Sequence, residues 1–328
     1  MATIWFLCPG NLTANWNIEM TTIGQSTHEA EIDARNDSIK IYVNGRIVPK
    51  SEATVTVYDS GFMLGDGVWE GLRLYNGCFA FLEEHLDRLY GAAKALDIDI
   101  RLTREELTAA LYDTVQANNM HENVHVRLMV TRGPKQRPFQ APYLSKYGPT
   151  IVIIAEFSAP VTTILESGLV LHTVPILRGL PVTQDPKLNT HSKLNCILAG
   201  IHASKAGADE ALMLDPHGFV NTTNSTNFFI VRKGEVWTST GDYCLNGITR
   251  KKVIEVCQNV GIPVYERNYS LVDTYDADEA FVTGTFGAQT PVAEIDGRTI
   301  GDGNSRPVFQ KIRKLYRELV HSDCGVKN

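Results

Sequence analysis

Short apolar strands alternate with amphipathic helices along most of this chain, and this alternation is the strongest constraint on its fold. The first run opens with two short strands around Asn44-Gly45, a dipeptide typical of a type I′ hairpin turn. Helical spacing of apolar residues follows over 81–96, and Thr103 with Glu106 forms a capping box that starts a second helix. The pattern predicts a compact α+β unit over residues 38–157. Its other predicted strands are 54–58, 124–131 and 150–157.

A second run of strands and helices begins after a short connecting stretch. Residues 158–167 predict a linker, and residues 168–320 predict a larger unit in which strands and helices again alternate. Residues 1–37 are polar and aperiodic, so we interpret them as an N-terminal extension, with 321–328 as a tail. The sequence therefore predicts a two-domain α/β protein of the α+β kind.

Charge and cysteine content exclude several classes of function. The 31 Lys and Arg residues against 37 Asp and Glu residues give a net charge of −6, which supplies no basic field to attract nucleic acid. No apolar stretch approaches the roughly 18–20 residues of a membrane helix, and the apolar run at 4–8 is too short for a signal peptide. Six cysteines are scattered without metal-ligand spacing. We therefore expect no metal site, no membrane partner and a reducing, cytoplasmic location.

Two turns in the second unit are suited to bind an anion. Gly247 leads into a predicted helix that starts at Ile248 and Thr249, and the backbone N–H groups at such a start attract phosphate. Thr285 lies in a turn of small residues directly after a predicted strand. Either turn alone is equally typical of an ordinary cap or loop. The two together favour a phosphorylated cofactor.

Two lysines lie between a predicted strand and the next helix. Lys187 and Lys193 are both in position to project into a crevice. A lysine that loses water there has a lowered pKa, so its neutral amine can form a Schiff base. The residues alone leave the alternative open that both are solvated surface lysines.

Several segments together resemble the class IV pyridoxal-phosphate aminotransferases of fold type IV. This family includes the branched-chain and D-amino-acid aminotransferases and the (R)-selective amine transaminases. The resemblance extends from about residue 39 to residue 319. It is carried by Ile41-Tyr42-Val43-Asn44-Gly45, Asp59-Ser60-Gly61-Phe62, Gly65-Asp66-Gly67-Val68-Trp69-Glu70-Gly71, Glu84-His85-Leu86-Asp87-Arg88-Leu89, Gly247-Ile248-Thr249-Arg250 and Thr290-Pro291-Val292.

The resemblance implies pyridoxal 5′-phosphate as the cofactor, bound in the cleft between the domains, and a homodimer as the assembly. It puts Arg88 on the cofactor phosphate together with Ile248, Thr249 and Thr285. This agrees with the two anion-binding turns. A guanidinium also suits a phosphate because it donates two parallel hydrogen bonds.

The lysine position departs from the family pattern. The family lysine falls at the position of Asn189, so Lys187 is two residues early and Lys193 four residues late. We prefer Lys193 as the catalytic residue. In branched-chain enzymes its position lies beside the phenolic oxygen of the cofactor. Lys187 stays the alternative, although it lies about 6–7 Å further back along an extended strand.

A second departure concerns the cofactor ring. The family has a glutamate at the position of Thr222, and its carboxylate pairs with the pyridinium nitrogen. Threonine carries no charge, so the resemblance predicts a weaker electron sink or weaker cofactor retention. Thr222 or Thr223 is expected to hold the ring through a hydroxyl group instead.

The candidate substrate residues resemble those of more than one subgroup of the family. Trp69 and Phe286 are bulky and favour apolar or aromatic substituents if they line the pocket. Arg127 resembles the carboxylate-binding arginine of the branched-chain subgroup, and Arg137 resembles a loop arginine of the D-amino-acid and (R)-amine subgroups. Either arginine could instead form a surface ion pair.

The resemblance implies an enzyme that transfers an amino group from an amino acid or (R)-amine to a 2-oxo acid by a ping-pong mechanism. Two alternatives stay open at this point. One is a lyase of the aminodeoxychorismate type on the same scaffold. The other is a non-enzymatic cofactor-binding protein, because both the lysine and the glutamate positions differ from the pattern.

Overall fold

A computed structural model describes residues 26–325 of the chain. The first sheet in this range is antiparallel and contains β1 (Lys40–Val43), β2 (Arg46–Pro49), β3 (Gly67–Tyr75), β4 (Cys78–Phe79), β5 (Val124–Thr131) and β6 (Thr150–Phe157). Its strand order is β2-β1-β6-β5-β3-β4. The turn between β1 and β2 places Asn44 and Gly45 at φ 47° and 83°, the left-handed pair that a type I′ turn requires.

Helices α2 (Leu82–Ala95) and α3 (Arg104–Ala117) cover one face of this sheet. The short helix α1 (Ser60–Leu64) precedes β3. Thr103 and Glu106 form the predicted capping box at the start of α3. Leucines of α2 and α3 pack against alternate residues of β3 and β5 in one apolar core. The apolar core therefore lies against one face of β3 and β5, and the opposite face of these strands is outside that core.

The prediction of a strand at 54–58 is wrong. This segment is irregular, and Val55 and Val57 are 44% and 66% exposed. Alternating valine and threonine fit a pleated surface, but the segment pairs with no neighbouring strand. Without cross-strand contacts this preference forms no strand.

The second sheet contains β7 (Leu169–Thr173), β8 (Glu210–Leu214), β9 (Val220–Thr223), β10 (Asn227–Arg232), β11 (Glu235–Thr238), β12 (Val264–Glu266), β13 (Glu279–Gly284), β14 (Ala288–Ile295) and β15 (Arg298–Thr299). The order is β12-β11-β10-β13-β14-β7-β8-β9, with β15 on β14. Because β9 also pairs with β10 through Thr222 and Asn227, six of these strands close into a ring. The closure brings Thr222 to the start of β10.

The remaining α-helices all follow β6 in the chain. They are α4 (Thr163–Ser167), α5 (Pro181–Gln184), α6 (Leu194–Lys205), α7 (Ile248–Asn259), α8 (Leu271–Tyr275) and α9 (Pro307–Asp323). Helices α7 and α9 share an apolar core with β10 and β13. This packing fixes the N-terminus of α7 at the side of the ring that meets the first sheet.

The segments outside the two sheets differ in part from expectation. The predicted linker at 158–167 contains the helix α4. In the predicted extension, Thr27 is buried and donates its backbone N–H to Glu210 at 3.2 Å. Residues 1–25 of that extension and 326–328 of the tail lie outside the described residues. The domain boundaries themselves stay a prediction.

Candidate active site

Strand β3 has one face in the apolar core and an opposite face that carries polar side chains. It pairs with β5 so that Gly71 lies opposite Arg127 and Arg73 lies opposite His125. Side chains alternate along a strand, so Trp69, Arg73, His125 and Arg127 share the face of the sheet opposite its leucine core. Backbone contacts join this region to the second unit, since the Trp69 N–H donates to the Asn189 carbonyl at 3.0 Å.

A buried carboxylate holds Arg88. The guanidinium donates from Nε to Glu70 Oε1 at 2.8 Å and from Nη2 to Glu70 Oε2 at 2.7 Å, and His85 Nδ1 lies 2.7 Å from Oε2. Burial by itself raises the pKa of Glu70, but Arg88 and His85 outweigh it and hold that pKa below its usual value. The bidentate pair orients Arg88, which also donates from Nη1 to the Asn246 carbonyl at 3.2 Å.

The third hydrogen bond of Arg88 brings it to the N-terminus of α7. Gly247 is the N-cap residue there, and no side chain caps the helix. The N–H groups of Ile248 and Thr249 have no acceptor within the helix, because the first N–H groups of any α-helix lack one. A Cβ at Gly247 would lie 2.2 Å from Asn227 Oδ1, so only glycine allows this close approach. Backbone and guanidinium donors thus meet at one anion-binding position.

The second anion-binding turn connects β13 to β14. Thr285 lies in this turn and is half-buried. The neighbouring Thr283 is buried, and its hydroxyl has no hydrogen-bond partner within residues 26–325. A buried hydroxyl without a partner is costly, so a polar group supplied by a ligand would be favoured beside it.

The structure separates the two candidate lysines. Lys193 is the N-cap residue of α6, and its Nζ lies 5.5 Å from the centroid of the Trp69 ring. Burial lowers its pKa to about 8, helped by Arg178, Arg88 and Arg127 and opposed by Cys196.

Lys187 lies on the surface instead. Its side chain is 44% exposed, and its Nζ lies 3.6 Å from Asp242 Oδ1 in an ion pair. Lys193 combines a lowered pKa with the position near Trp69 that a reactive amine needs.

Asn189 is buried against β3. Its Nδ2 donates to the Trp69 carbonyl at 2.7 Å, whereas its Oδ1 has no hydrogen-bond partner among the described residues. The side chain is thus fixed at one end and keeps a free acceptor at the other. A donor from a bound molecule would satisfy that acceptor.

Thr222 has an uncharged side chain. Its hydroxyl donates to the Thr226 carbonyl at 2.6 Å. Thr223 donates to Glu210 Oε2 at 2.8 Å, and Thr27 also donates to that carboxylate. The carboxylate of Glu210 is therefore already engaged by hydroxyl and amide donors. Thr222 keeps lone pairs that can accept one hydrogen bond.

Two of the four candidate substrate residues lie on the polar face, and one lies against it. The Arg127 guanidinium stacks 3.7 Å from the Trp69 ring centroid and has no acidic partner in the described part of the chain. Phe286 is buried and meets the His125 ring edge-on at 5.5 Å between centroids. Arg137, by contrast, is exposed on the loop after β5, and the structure does not bring it to the others.

Two further polar residues of this face were missed by the sequence analysis. Arg73 is buried and lies 5.3 Å from the Phe286 ring, and His125 is half-buried beside it. Burial, with Arg73 and Arg127 adding to it, lowers the pKa of His125 to about 3, so the imidazole is neutral. The alternation of side chains along β3 and β5 could have indicated both residues, because it puts them on the face of the sheet that carries Trp69 and Arg127.

Two other classes of site are absent from residues 26–325. No group of His, Cys, Asp and Glu side chains in this range has the arrangement of a metal site. No helix in the same range combines the length and apolar character of a membrane span.

Comparison with known proteins identifies the family. Residues 67–295 match the model for amino-transferase class IV. The chain is 43% identical over 285 residues to branched-chain-amino-acid aminotransferase-like protein 2 of Arabidopsis thaliana, covering 87% of this chain and 51% of that protein. It thus spans about half the length of that relative. It is 40% identical over 292 residues to a putative branched-chain-amino-acid aminotransferase of Methanocaldococcus jannaschii, covering 88% of this chain and 99% of that protein.

A solved structure extends the match to the fold. The branched-chain amino acid aminotransferase of Thermobaculum terrenum, solved in its PLP-form, superposes with a TM-score of 0.78 at 28% identity, covering 88% of this chain and 95% of that one. The predicted fold type IV is confirmed. The chain belongs to the class IV aminotransferase family.

Proposed function

We propose that this protein is a pyridoxal-phosphate-dependent transaminase that transfers an amino group from an amino acid or (R)-amine to a 2-oxo acid. The observation that carries the proposal is the Lys193 amine, whose pKa is lowered to about 8 next to the Trp69 ring. Family membership and the solved PLP-form of the Thermobaculum terrenum enzyme support it.

The residues present fit the phosphate end of this cofactor. Arg88, the N–H groups of Ile248 and Thr249, and the turn at Thr285 would hold the phosphate. The unpartnered Thr283 hydroxyl lies at the same end of β13. Positive charge and free donors converge there, as a dianionic phosphate requires.

The residues fit the ring end less fully. Thr222 and Thr223 would lie at the ring, where Thr222 can accept a hydrogen bond but supplies no charge. Asn189 would offer its unpartnered Oδ1 as a further hydrogen-bond acceptor. The bound cofactor supplies an electron sink for negative charge at the donor carbon, and an uncharged ring is the weaker sink.

Lys193 performs the proton transfer in this proposal. Its Nζ takes the proton from the α-carbon of the donor and returns a proton when the acceptor is aminated. Only the neutral amine can accept a proton, so the rate rises with pH through about 8, the pKa of Lys193. An unperturbed lysine would remain almost fully charged at that pH.

Arg127 orients the substrate. Its guanidinium lies flat on Trp69 without an acidic partner in the described residues, which leaves it free to bind a carboxylate. Trp69 and Phe286 then contact the apolar part of the donor or acceptor. Arg137 is exposed and stays a hypothesis for a carboxylate contact at the entrance.

A spectral titration tests the proposed reaction. The purified protein with bound cofactor is titrated with L-leucine, D-alanine and (R)-1-phenylethylamine while the visible absorbance of the cofactor is followed. We expect one donor to bleach this band and a 2-oxo acid to restore it. Pyruvate release without an acceptor would indicate a lyase, and no response to any donor would indicate a binding protein. Either result would overturn the proposal.

Adding a carboxylate at position 222 should raise the rate. By the family resemblance, Thr222→Glu would supply a carboxylate to pair with the ring nitrogen, and a protonated ring is the stronger electron sink. We expect the single-turnover rate with the best donor to rise about 10-fold, which corresponds to roughly 1.4 kcal/mol. Thr222→Gln is the matched control because it has the same size without the charge. An equal gain in the glutamine variant would contradict the electrostatic explanation.

A homodimer is the proposed assembly, and α6 is its proposed contact. This helix exposes an apolar stripe of helical periodicity, formed by Leu194, Ile197, Leu198 and Ile201, with exposures of 65%, 56%, 42% and 45%. Lys193 immediately precedes the stripe. A second copy on this face would exclude water from the entrance to the candidate site.

Charge on the stripe should separate the subunits. Ile197→Asp buries a carboxylate in the proposed interface, so we expect the mass measured by light scattering to fall from two chains to one. Gln310→Asp puts the same charge on an exposed position of α9 and should leave the mass unchanged. A monomeric wild-type protein, or a dimer that survives Ile197→Asp, would contradict this contact.

The cytoplasm stays the proposed location. Half-buried thiols such as Cys196 persist as thiols in a reducing compartment. Cell fractionation tests this proposal.

A further inference from the structure

Two cysteines far apart in the sequence meet in the fold. Cys324 at the end of α9 places its Sγ 3.7 Å from the carbonyl oxygen of Cys78 in β4, across a separation of 246 residues. Both thiols are free and half-buried. Scattered spacing in the sequence gave no sign of this pair.

The surrounding backbone holds the two residues in register. The neighbouring Asp323 accepts a hydrogen bond from the Phe81 N–H at 2.7 Å, which fixes the end of α9 to the segment after β4. Cys78 itself lies opposite Tyr75 in the β3–β4 hairpin. The Asp323–Phe81 hydrogen bond therefore ties the two segments together, so the proximity of the cysteines does not depend on the cysteine side chains alone.

We propose that Cys78 and Cys324 are a modification site that forms a reversible disulfide on exposure to a peroxide. One thiol attacks a peroxide oxygen, the O–O bond breaks, and a sulfenic acid and water form. The second thiol then attacks the sulfenic sulfur, the S–S bond forms, and a second water leaves. With hydrogen peroxide, two thiols lose two electrons and two protons, and one peroxide is reduced to two waters.

The bond would join the two units of the protein. Cys78 belongs to the first sheet, and Cys324 follows α9, which packs on the second. Helix α2 starts at Leu82, only four residues after Cys78, and carries Arg88. A link here would hold Arg88 against the N-terminus of α7 and so restrain the opening of the anion-binding position. This inference does not depend on the reaction proposed above.

The thiols should react slowly and stay reduced at rest. Burial raises the pKa of Cys324, and Cys78 and Asp323 raise it further. The thiolate is the form that reacts with peroxide. Because the pKa of Cys324 is raised, little Cys324 thiolate is present at neutral pH. We therefore expect oxidation under sustained peroxide exposure and reversal by a thiol reductant.

Peptide mapping of the full-length protein tests this site. The reduced protein is treated with hydrogen peroxide, digested without reductant and analysed by mass spectrometry. We expect a peptide pair joined through Cys78 and Cys324 that dithiothreitol separates. Closing so long a loop should also raise the melting temperature by roughly 5 °C. Cys196→Ser is the matched control and should keep both effects.

Two results of this experiment would overturn the proposal. Oxidation of either cysteine to a sulfinic acid without the joined peptide would show that the geometry does not permit the bond. A disulfide between two chains would do the same. Cys78→Ser and Cys324→Ser should each abolish the joined peptide, and the wild-type map decides the question if either variant fails to fold.

Discussion

Replacing Lys193 with alanine should lower the single-turnover rate of amino transfer by about 10³-fold or more, since general acid–base catalysis alone contributes roughly 10²–10⁴-fold. Lys193 is the residue whose pKa of about 8 and position near Trp69 suit proton transfer at the donor carbon. The rate is measured by stopped-flow absorbance with saturating donor and cofactor. Cofactor affinity should change far less, because the phosphate contacts stay intact.

Lys187→Ala is the matched control for this prediction. Its side chain is exposed and paired with Asp242, so its loss should leave the rate within about twofold of wild type. A reversed pattern, with activity lost in Lys187→Ala and kept in Lys193→Ala, would assign the chemistry to the other lysine. Equal loss in both variants would point to a structural cause.

Replacing Arg88 with alanine should have the second large effect. The variant loses the bidentate donor to Glu70 and the proposed phosphate contact together. Removing one partner of a buried ion pair costs about 3–5 kcal/mol of folding free energy, because the Glu70 carboxylate is left buried with only His85. We expect cofactor affinity to fall by about 100-fold, the equivalent of roughly 2.8 kcal/mol.

Two comparisons separate stability from cofactor binding at Arg88. Denaturant unfolding measures the first, and fluorescence titration with the cofactor measures the second. Arg132→Ala removes a similar pair with Asp66, at 2.7 and 3.0 Å, in the loop that follows β5. It should lose stability and keep cofactor affinity. If Arg88→Ala and Arg132→Ala bind the cofactor equally well, Arg88 does not hold the phosphate.

The two anion-binding turns could be predicted because their signals are local. Glycine before a helix start and small residues after a strand specify backbone geometry within a few positions. The structure places Gly247 and Thr285 in these settings and brings Arg88 to the first of them. The hairpin at Asn44 and the capping box at Thr103 were equally local, and both are present.

The choice between the two lysines could not be made from sequence spacing. Lys187 and Lys193 both lie near the family position, and what distinguishes them is burial, which depends on how β3 packs against the segment at Asn189. The structure supplies that environment, although the catalytic assignment stays a prediction. Arg73 and His125 were missed for a related reason, because their role depends on the pairing of β3 with β5.

The wrong strand prediction has a physical cause. Residues 54–58 have strand-forming side chains but find no partner strand among residues 26–325. The segment 158–167, predicted as a linker, contains α4. The Cys78–Cys324 contact likewise arises only from the tertiary fold. Tertiary pairing outweighs local preference in each case.

Peptide mapping after borohydride reduction tests whether Lys193 carries the cofactor. Borohydride fixes the cofactor to the amine that carries it, and digestion then identifies the modified lysine. We predict the phosphopyridoxyl mass on the peptide containing Lys193, with Lys187 unmodified. Modification of Lys187 alone, or retention of the cofactor with neither lysine modified, would contradict it.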